Sequence, residues 1–486
     1  MAKRVQIAGA LQATAKQLKR SGVDYADLRW VYVTEESIEV EDGAVEHLSS
    51  SISEGIAIRA LIHGAWGYAC SSVVTAKGTL QTARRALEMA KGAAQFASTK
   101  VAFPEHPPQR GSYRTPLEID PFTVPLNKKL DYLMWANRVL GDHASIRTAS
   151  ATMDFYRTEK VFVSTEGSLI HQEITESGAA LEAVAELGGE IQSRSYPISN
   201  DGSLAQAGYE YVKQLDLVGN AERIRKEVVS LLRAPECPSG IQDLILMPDQ
   251  LVLQLHESCG HPIELDRVLG SEVSFAGGSF LDPGKLGKFQ YGSKLVNITA
   301  DATCPMGVGT FGYDDEGVPA QTYPVVRDGI FVEYLSSRES AADVGLSSTG
   351  AMRADAWSAT PLVRMTNINL TPGVGTLKDL IQSTRRGILM ATNKSWSIDD
   401  MRLNFQFGCE IAWEIRNGKI GQVYKNPVYT GITPKFWGSM DAVTAESEWK
   451  LFGLPNCGKG EPVQTMHTGH GASPARFKRV QIGSKR

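Results

Sequence analysis

The chain has 486 residues, 42% hydrophobic and 21% charged, a composition typical of a globular protein with room for two to four domains. Lys and Arg total 50 against 54 Asp and Glu, so a net charge of -4 argues against binding to nucleic acid or anionic membrane through overall charge. The six cysteines form no CxxC pair, and no apolar run approaches the ~20 residues of a membrane span. A cytoplasmic protein is therefore expected.

Residues 1–98 are predicted to form an N-terminal α+β domain. A helix over residues 5–21, with apolar side chains at helical spacing, precedes the strands, and a second helix near 78–94 follows them. Asp42-Gly43 is a dipeptide typical of type I′ hairpin turns. Four segments have the composition of strands: 27–33, 37–40, 44–51 and 56–62.

Residues 99–125 hold six prolines and are predicted to be an extended linker. Residues 126–235 then repeat the order of helix, strands and helix, and we interpret them as a central α+β domain. The recurrence indicates an internal duplication.

Residues 236–486 are predicted to form a β-rich C-terminal domain. Asp328-Gly329 and Asn417-Gly418 each divide two strand-like segments and predict hairpins. The fold class is thus α+β, with N-terminal units of helices and antiparallel sheet followed by a β-rich domain.

One apolar helical run in this last domain leads into an HExxxH motif, His256-Glu257-Ser258-Cys259-Gly260-His261. Neutral imidazoles bind zinc well, and a neighbouring carboxylate can take a proton from water, as in the HExxH metalloproteases. Here the spacing is one residue longer. At about 100° per residue the two histidines of a regular α-helix lie roughly 140° apart, too far to share one ion.

A metal site therefore requires the helix to bend or stop between the histidines. Gly260 can adopt backbone angles that other residues avoid, and Pro262 disfavours the α conformation at His261. We expect a helix from about Pro248 to about Cys259, with His261 turned back by the break.

A catalytic zinc usually has three protein ligands, so a third remains to be found. A thiolate on a loop with polar neighbours favours Cys457, narrowly ahead of Glu264. Cys259 is expected to pack in the core. Further candidates with weaker support are the acidic turn Asp314-Asp315-Glu316 and two late histidines, His467 and His470.

The residues around the motif resemble those of the TldD/PmbA family, in its TldD branch. The likeness covers nearly the whole chain and includes, in order, His256–Glu264, Gly309–Ala320, Val363–Asn367, Cys457–Pro462 and Gly469–Phe477. An ordered set of this kind is far more specific than HExxxH alone.

The resemblance implies a zinc metalloprotease that acts on unfolded peptides, in leader-peptide removal and antitoxin turnover. It implies His256, His261 and Cys457 as Zn²⁺ ligands and Glu257 as the general base. It also implies a dimer, either with a second copy or with a PmbA-type (TldE) subunit, which lacks the histidine motif. His470 is a candidate for assisting the oxyanion.

Two other kinds of function remain open at this point. In one, the chain is a non-catalytic binding or scaffold subunit in which the motif is structural. In the other, the same zinc chemistry hydrolyses small amides. No nucleic acid or membrane partner is expected in any of these cases.

Overall fold

The computed structural model describes residues 2–199, 202–274 and 277–483 and confirms an α+β fold. The N-terminal half comprises α1 (Ala2–Arg20), β1 (Tyr25–Glu41), β2 (Ala44–Ile62), β3 (Ala65–Ser71), α2 (Ala76–Ala94), β4 (Arg110–Arg114), α3 (Leu126–Gly141), β5 (Ile146–Ser164), β6 (Leu169–Leu187), β7 (Glu190–Tyr196), β8 (Ser203–Ala205), α4 (Tyr209–Leu215) and α5 (Leu217–Leu231).

These strands form one sheet in the order β3-β2-β1-β5-β6-β4, with β7 and β8 also paired to β6. The two halves of the predicted duplication repeat the same order of helix, long hairpin, short strand and helix. They meet where β1 pairs antiparallel with β5 along its length, from Asp27 opposite Ser164 to Glu41 opposite Ser150. Residues 1–98 and 126–235 therefore share a sheet, while the domain boundaries stay predictions.

The four predicted strand segments are in fact two long strands. The polar residues 34–36, where we expected a break, continue β1 because β2 and β5 supply backbone partners on both sides. Asp42 and Gly43 both have positive φ, 49° and 79°, which confirms the type I′ turn. The predicted linker contributes β4, which runs parallel to β6 with Arg110 opposite Leu169.

The C-terminal half contains short helices and many strands: β9 (Gly240–Leu246), α6 (Pro248–Leu255), α7 (Leu265–Val268), β10 (Ile298–Asp301), β11 (Thr322–Arg327), β12 (Ile330–Phe331), α8 (Arg338–Asp343), β13 (Met352–Arg353), β14 (Leu362–Val363), β15 (Asn367–Leu370), α9 (Leu377–Gln382), β16 (Arg386–Ile398), β17 (Asn404–Arg416), β18 (Lys419–Tyr424), β19 (Val428–Ile432), α10 (Thr433–Gly438), β20 (Met440–Val443), β21 (Lys450–Lys459), β22 (Gln464–Ala472) and β23 (Ala475–Ile482).

Two larger sheets form here, in the orders β12-β11-β10-β15-β22-β21 and β16-β9-β23-β19-β17-β18, with β20 paired to β23 and β16 also to β17. Both predicted hairpins are present, with positive φ at all four turn residues. Helix α6 packs against strands of both sheets, and its Leu251, Val252 and Leu255 belong to the core that the sheets share. This burial places the end of α6, where the HExxxH motif begins, deep in the domain.

Candidate metal centre

The HExxxH motif continues helix α6 without a break. Residues His256–Gly260 form a π-helical turn, in which the N–H of His261 donates to the carbonyl of His256, and a 3₁₀ turn over His261–Ile263 follows. The i→i+5 hydrogen bond closes roughly one turn over five residues, so both histidines lie on one side. Their rings are 4.8 Å apart between centroids. The predicted break in the helix is therefore wrong. The wider π-helical turn brings two histidines that are five positions apart onto the same side of the helix.

Gly260 serves a different purpose from the one expected. Its backbone is ordinary right-handed helix, with φ of -62°, and His261 is helical too, with φ of -64° and ψ of -41°. A Cβ at Gly260 would lie 2.1 Å from the sulfur of Met365. The glycine is needed for this close packing and not for an unusual conformation.

Cys457 reaches the histidines from a strand, whereas we expected a loop. It lies on β21, an edge strand that pairs with β22. The register shifts between Leu454, opposite Thr468, and Cys457, opposite Met466. The extra residue of such a bulge redirects the side chains that follow it. The Cys457 sulfur lies 3.8 Å from Nε2 of His261.

His256, His261 and Cys457 thus offer three ligand atoms within 4.8 Å of one another, all from buried side chains. Among the residues that the structure describes, no other group of His, Cys, Asp and Glu side chains meets this criterion. Two imidazoles and one thiolate match the mixed nitrogen and sulfur donors that zinc accepts, with a fourth position left for water or substrate. The residues present therefore fit a catalytic zinc ion.

His470 determines which nitrogen of His256 can bind a metal. Nδ1 of His470 lies 3.2 Å from the carbonyl oxygen of Ile368, so this nitrogen carries the proton. Nε2 of His470 then accepts a hydrogen bond from Nδ1 of His256, over 2.8 Å. The hydrogen-bond pattern leaves the lone pair of His256 on Nε2. This arrangement is typical of a residue that orients a metal ligand from behind.

Glu264 plays the same part for His261. Its Oε2 lies 3.0 Å from Nδ1 of His261, and Nε of Arg267 and Nζ of Lys459 each lie 3.4 Å from the same oxygen. The carboxylate therefore lies behind the imidazole and leaves Nε2 facing Cys457. The alternative third ligand, Glu264, is positioned to orient His261.

The protonation states favour metal binding. Burial lowers the pKa of His256 to about 4 and lowers the pKa values of His261 and His470 well below the usual range, so the three rings are neutral. Burial alone raises the pKa of Cys457, but the charge of Arg364 and the contact with His261 bring it below its ordinary value. A lower pKa favours the thiolate, the form that binds metals.

Glu257 lines a cavity of about 250 Å³ that is also lined by His256, His261 and Cys457. Nη1 of Arg402 donates to Oε2 of Glu257 over 2.6 Å and holds the carboxylate in place. The cavity thus combines a group of side chains that could hold a metal ion with a fixed carboxylate, the two components of hydrolysis by an activated water.

Comparison with known proteins identifies the family. Residues 239–484, more than half of the chain, match the model of the PmbA/TldA metallopeptidase C-terminal domain, and residues 26–93 match that of PmbA/TldA metallopeptidase domain 1. The chain belongs to the TldD/PmbA family. The predicted resemblance is confirmed.

Relatives in the family align over nearly their whole length. A metalloprotease of Methanocaldococcus jannaschii is 29% identical, with 90% of this chain and 94% of the relative covered. A Haemophilus influenzae protein named metalloprotease TldD homolog is 26% identical, with 96% of this chain and 94% of the relative covered. A Saccharolobus solfataricus protein named zinc metalloprotease TldD homolog is 22% identical, with 96% of this chain and 98% of the relative covered.

Solved structures share the fold. A putative modulator of a DNA gyrase from Thermotoga maritima has a TM-score of 0.76 at 17% identity, covering 98% of this chain and 99% of the other. TldE from Thermococcus kodakarensis has a TM-score of 0.74 at 15% identity, covering 98% of this chain and 100% of the other.

None of the described helices of our chain is long and apolar enough to cross a membrane.

The remaining candidates of this TldD/PmbA member lie elsewhere. Cys259 is fully buried in the hydrophobic core, as predicted. His467 binds Glu176 of β6, with 2.6 Å between Nδ1 and Oε2. The acidic turn is buried and contacts the N-terminal sheet, where Asp315 pairs with Arg29 and Lys160. None of these side chains joins the group of ligand atoms formed by His256, His261 and Cys457.

Two arginines near the centre were missed by reasoning from the sequence. Arg402 lies 145 positions from Glu257 and follows no pattern that predicts the contact. Arg364 belongs to one of the stretches that resemble the family, and its guanidinium binds the carbonyl of Cys457. Only the second carried a signal in the sequence, and that signal did not specify a role.

Proposed function

We propose that this chain is a zinc-dependent metallopeptidase that hydrolyses unfolded or small peptides, in processes such as leader-peptide removal or antitoxin degradation. The observation that carries the proposal is the convergence of His256, His261 and Cys457 beside Glu257 in one cavity. Family membership and the metalloprotease names of relatives support the same class of reaction.

A zinc ion on these three side chains would supply a Lewis acid that polarises the scissile carbonyl and makes water more acidic. The protein groups then divide the remaining tasks. Glu257 takes the proton of the attacking water and passes it to the leaving amine. Arg402 holds Oε2 of Glu257, so the carboxylate keeps one orientation and Oε1 takes up the proton. Glu264 and His470 keep the two imidazoles oriented.

The size of the cavity supports an unfolded substrate. A volume of about 250 Å³ lies below the roughly 300–1,000 Å³ of typical ligand pockets. A folded domain cannot bring a peptide bond into so small a space without unfolding locally. An extended chain can enter with a few residues and leave the rest outside.

The test combines metal analysis with two substrates. Protein purified without chelator should contain about one zinc per chain, and a chelator should abolish cleavage of an unfolded peptide until zinc is restored. The peptide and a small amide are assayed side by side. Cleavage of the amide alone would favour an amidohydrolase, and zinc binding without any cleavage would favour a scaffold subunit. Activity in metal-free protein would end the proposal.

We also propose that the chain functions as part of a dimer, with a second copy or with a PmbA-type subunit. The resemblance within the family supports this assembly. Light scattering of the purified chain measures its mass. The mass of two chains would favour a homodimer, while a single-chain mass that doubles only with a PmbA-type subunit would favour the heterodimer. A single-chain mass under both conditions would contradict the assembly.

A further inference from the structure

A cleft of about 890 Å³ separates the N-terminal half from the C-terminal half. The N-terminal wall comes from β7, α4 and α5, and the C-terminal wall from α9, β16, β17, β18 and the start of β21. Apolar side chains form much of the lining, among them Tyr196, Ile381, Leu389, Trp413 and Phe452. Ile420 on β18 is 44% exposed there. A concave site lined mainly by apolar side chains is typical of a ligand-binding pocket.

The cleft continues the cavity of the candidate metal centre. Asp249 of helix α6 lines both spaces, seven positions before the first histidine. Three other chain segments pass from one space to the other within one or two residues. They change from cleft to cavity at Pro197 and Ile198, at Thr392 and Asn393, and at Phe452 and Leu454.

The junction between the two spaces is held by a strained residue. Thr392 has a φ of +59°, a conformation that is costly for a β-branched side chain. Strand β16 changes register beside it, between Asn393 and Ser395. The Thr392 hydroxyl donates to Oδ2 of Asp249 over 2.6 Å. Strained residues and bulges occur most often next to functional sites, where they direct side chains.

Most of the ionic groups that line the cleft have partners within the protein, while Lys450 is exposed at its edge. Arg194, which lines the cleft and is 3% exposed, donates to Glu410 over 2.6 Å and to Glu227 over 2.7 Å. Arg223 also pairs with Glu227, over 3.2 Å, so the two arginines and the two carboxylates are compensated within the protein. The surface that remains for a ligand is therefore mainly apolar.

We propose that the cleft binds apolar side chains of the peptide substrate on one side of the scissile bond, so that the enzyme selects hydrophobic segments of unfolded chains. The cavity at the histidines holds only a few residues, and a longer peptide extends from it into the adjoining cleft. Hydrophobic segments are exposed in unfolded chains and buried in folded ones, so such a cleft recognises unfolded substrates. The inference rests on the proposed function for the identity of its ligand.

Binding is measured in the full chain carrying Glu257→Gln, so that cleavage does not interfere. The probes are two dye-labelled, unstructured peptides of equal length, one with leucines at several positions and the other with serines there. Fluorescence anisotropy should show at least about tenfold tighter binding of the leucine peptide, the effect of burying one or two apolar side chains.

Two substitutions in the cleft, Ile420→Gln and Trp413→Ala, should reduce this preference to less than about threefold. Matched controls are Ile241→Gln and Trp135→Ala, which replace side chains that are each 57% exposed and do not line the cleft. The controls should keep the full preference. Circular dichroism and zinc content verify that each variant is folded.

The outcomes separate this inference from the proposed function. Equal binding of the two peptides, or a preference that the cleft variants leave unchanged, overturns the inference while peptide cleavage by the wild-type chain still stands. Cleft variants that change the mass of the protein and not peptide binding would assign the cleft to a second subunit and also overturn it. If wild-type protein cleaves no peptide, the proposed function fails. The difference in affinity between the leucine peptide and the serine peptide still decides whether the cleft binds apolar side chains.

Discussion

The candidate metal centre and the acidic turn at 314–316 are both buried, charged and part of the stretches that resemble the family, yet they differ in what their polar groups contact. At the metal centre, Nε2 of His261 and the sulfur of Cys457 face each other at 3.8 Å beside an open cavity. In the acidic turn, Asp315 binds Arg29 at 3.2 Å and Lys160 at 2.6 Å, cations from the N-terminal sheet.

The difference shows that burial and charge alone do not mark a functional site. The charge of Asp315 is compensated by cations of the N-terminal sheet, and these ion pairs join the two halves of the chain. The metal centre leaves donor atoms directed at space that a ligand can enter. Substitutions in the two regions should therefore produce opposite results, with loss of metal and activity in one and loss of stability in the other.

The largest effect is expected for Cys457→Ala. Removal of the thiolate leaves two imidazoles, so most zinc should be lost and peptide cleavage should fall below detection. The edge strand β21 should also become more sensitive to added protease. Zinc is measured by elemental analysis, with Cys70→Ala as a control on a partly exposed thiol. Normal zinc content in the Cys457 variant would remove this residue from the ligand set.

Glu257→Gln should lower cleavage by about 10²–10⁴-fold, the usual contribution of a general base. Zinc content and thermal stability should stay close to those of the wild type, since glutamine retains the shape and can still contact Arg402. The measurement is kcat with an unfolded peptide at saturating concentration. Near-normal turnover would show that another group takes the proton.

Glu264→Gln should have a smaller effect, about 10–100-fold in activity or metal affinity. The carboxylate contacts Nδ1 of His261 from the side away from the metal position, so the ion should remain bound at high zinc concentration. A zinc titration with a competing chelator measures the affinity. Complete loss of zinc, with normal binding in Cys457→Ala, would exchange the roles of the two residues.

Asp315→Asn should have the smallest effect on activity per folded molecule and a large effect on stability. Loss of one partner from a buried ion pair costs roughly 3–5 kcal/mol, because Arg29 and Lys160 keep uncompensated charge. Urea unfolding measures the change. Glu222→Gln, which breaks an exposed pair with Lys226, should leave the urea midpoint almost unchanged.

The stability difference at Asp315 should depend on pH. Burial raises the pKa of this carboxyl, but Lys160 and Arg29 outweigh burial and bring it below its ordinary value. The ion pairs therefore stabilise the fold above about pH 4, the pKa of an unfolded aspartate, and this contribution is lost as the pH falls through the lower folded value. The gap between wild type and Asp315→Asn should narrow below about pH 4. A constant gap would show that the charge is not responsible.

The sequence by itself determined the local features of this protein. Periodic apolar residues predicted helices α1 and α2, and Asx-Gly dipeptides predicted three hairpin turns that all have the expected positive φ. The ordered stretches predicted the family, which comparison confirmed. Each of these rests on interactions between residues that are close in the chain, or on motifs that can be read in order.

Only the tertiary structure decided how the histidines share a face and which long-range groups surround them. The spacing of His256 and His261 excluded a regular α-helix, but packing of Met365 against Gly260 accompanies a π-helical turn that the spacing did not reveal. Arg402 comes from the β16–β17 connection to hold Glu257. Such contacts join residues more than a hundred positions apart, and their partners depend on how two sheets close around one buried helix, which no local pattern encodes.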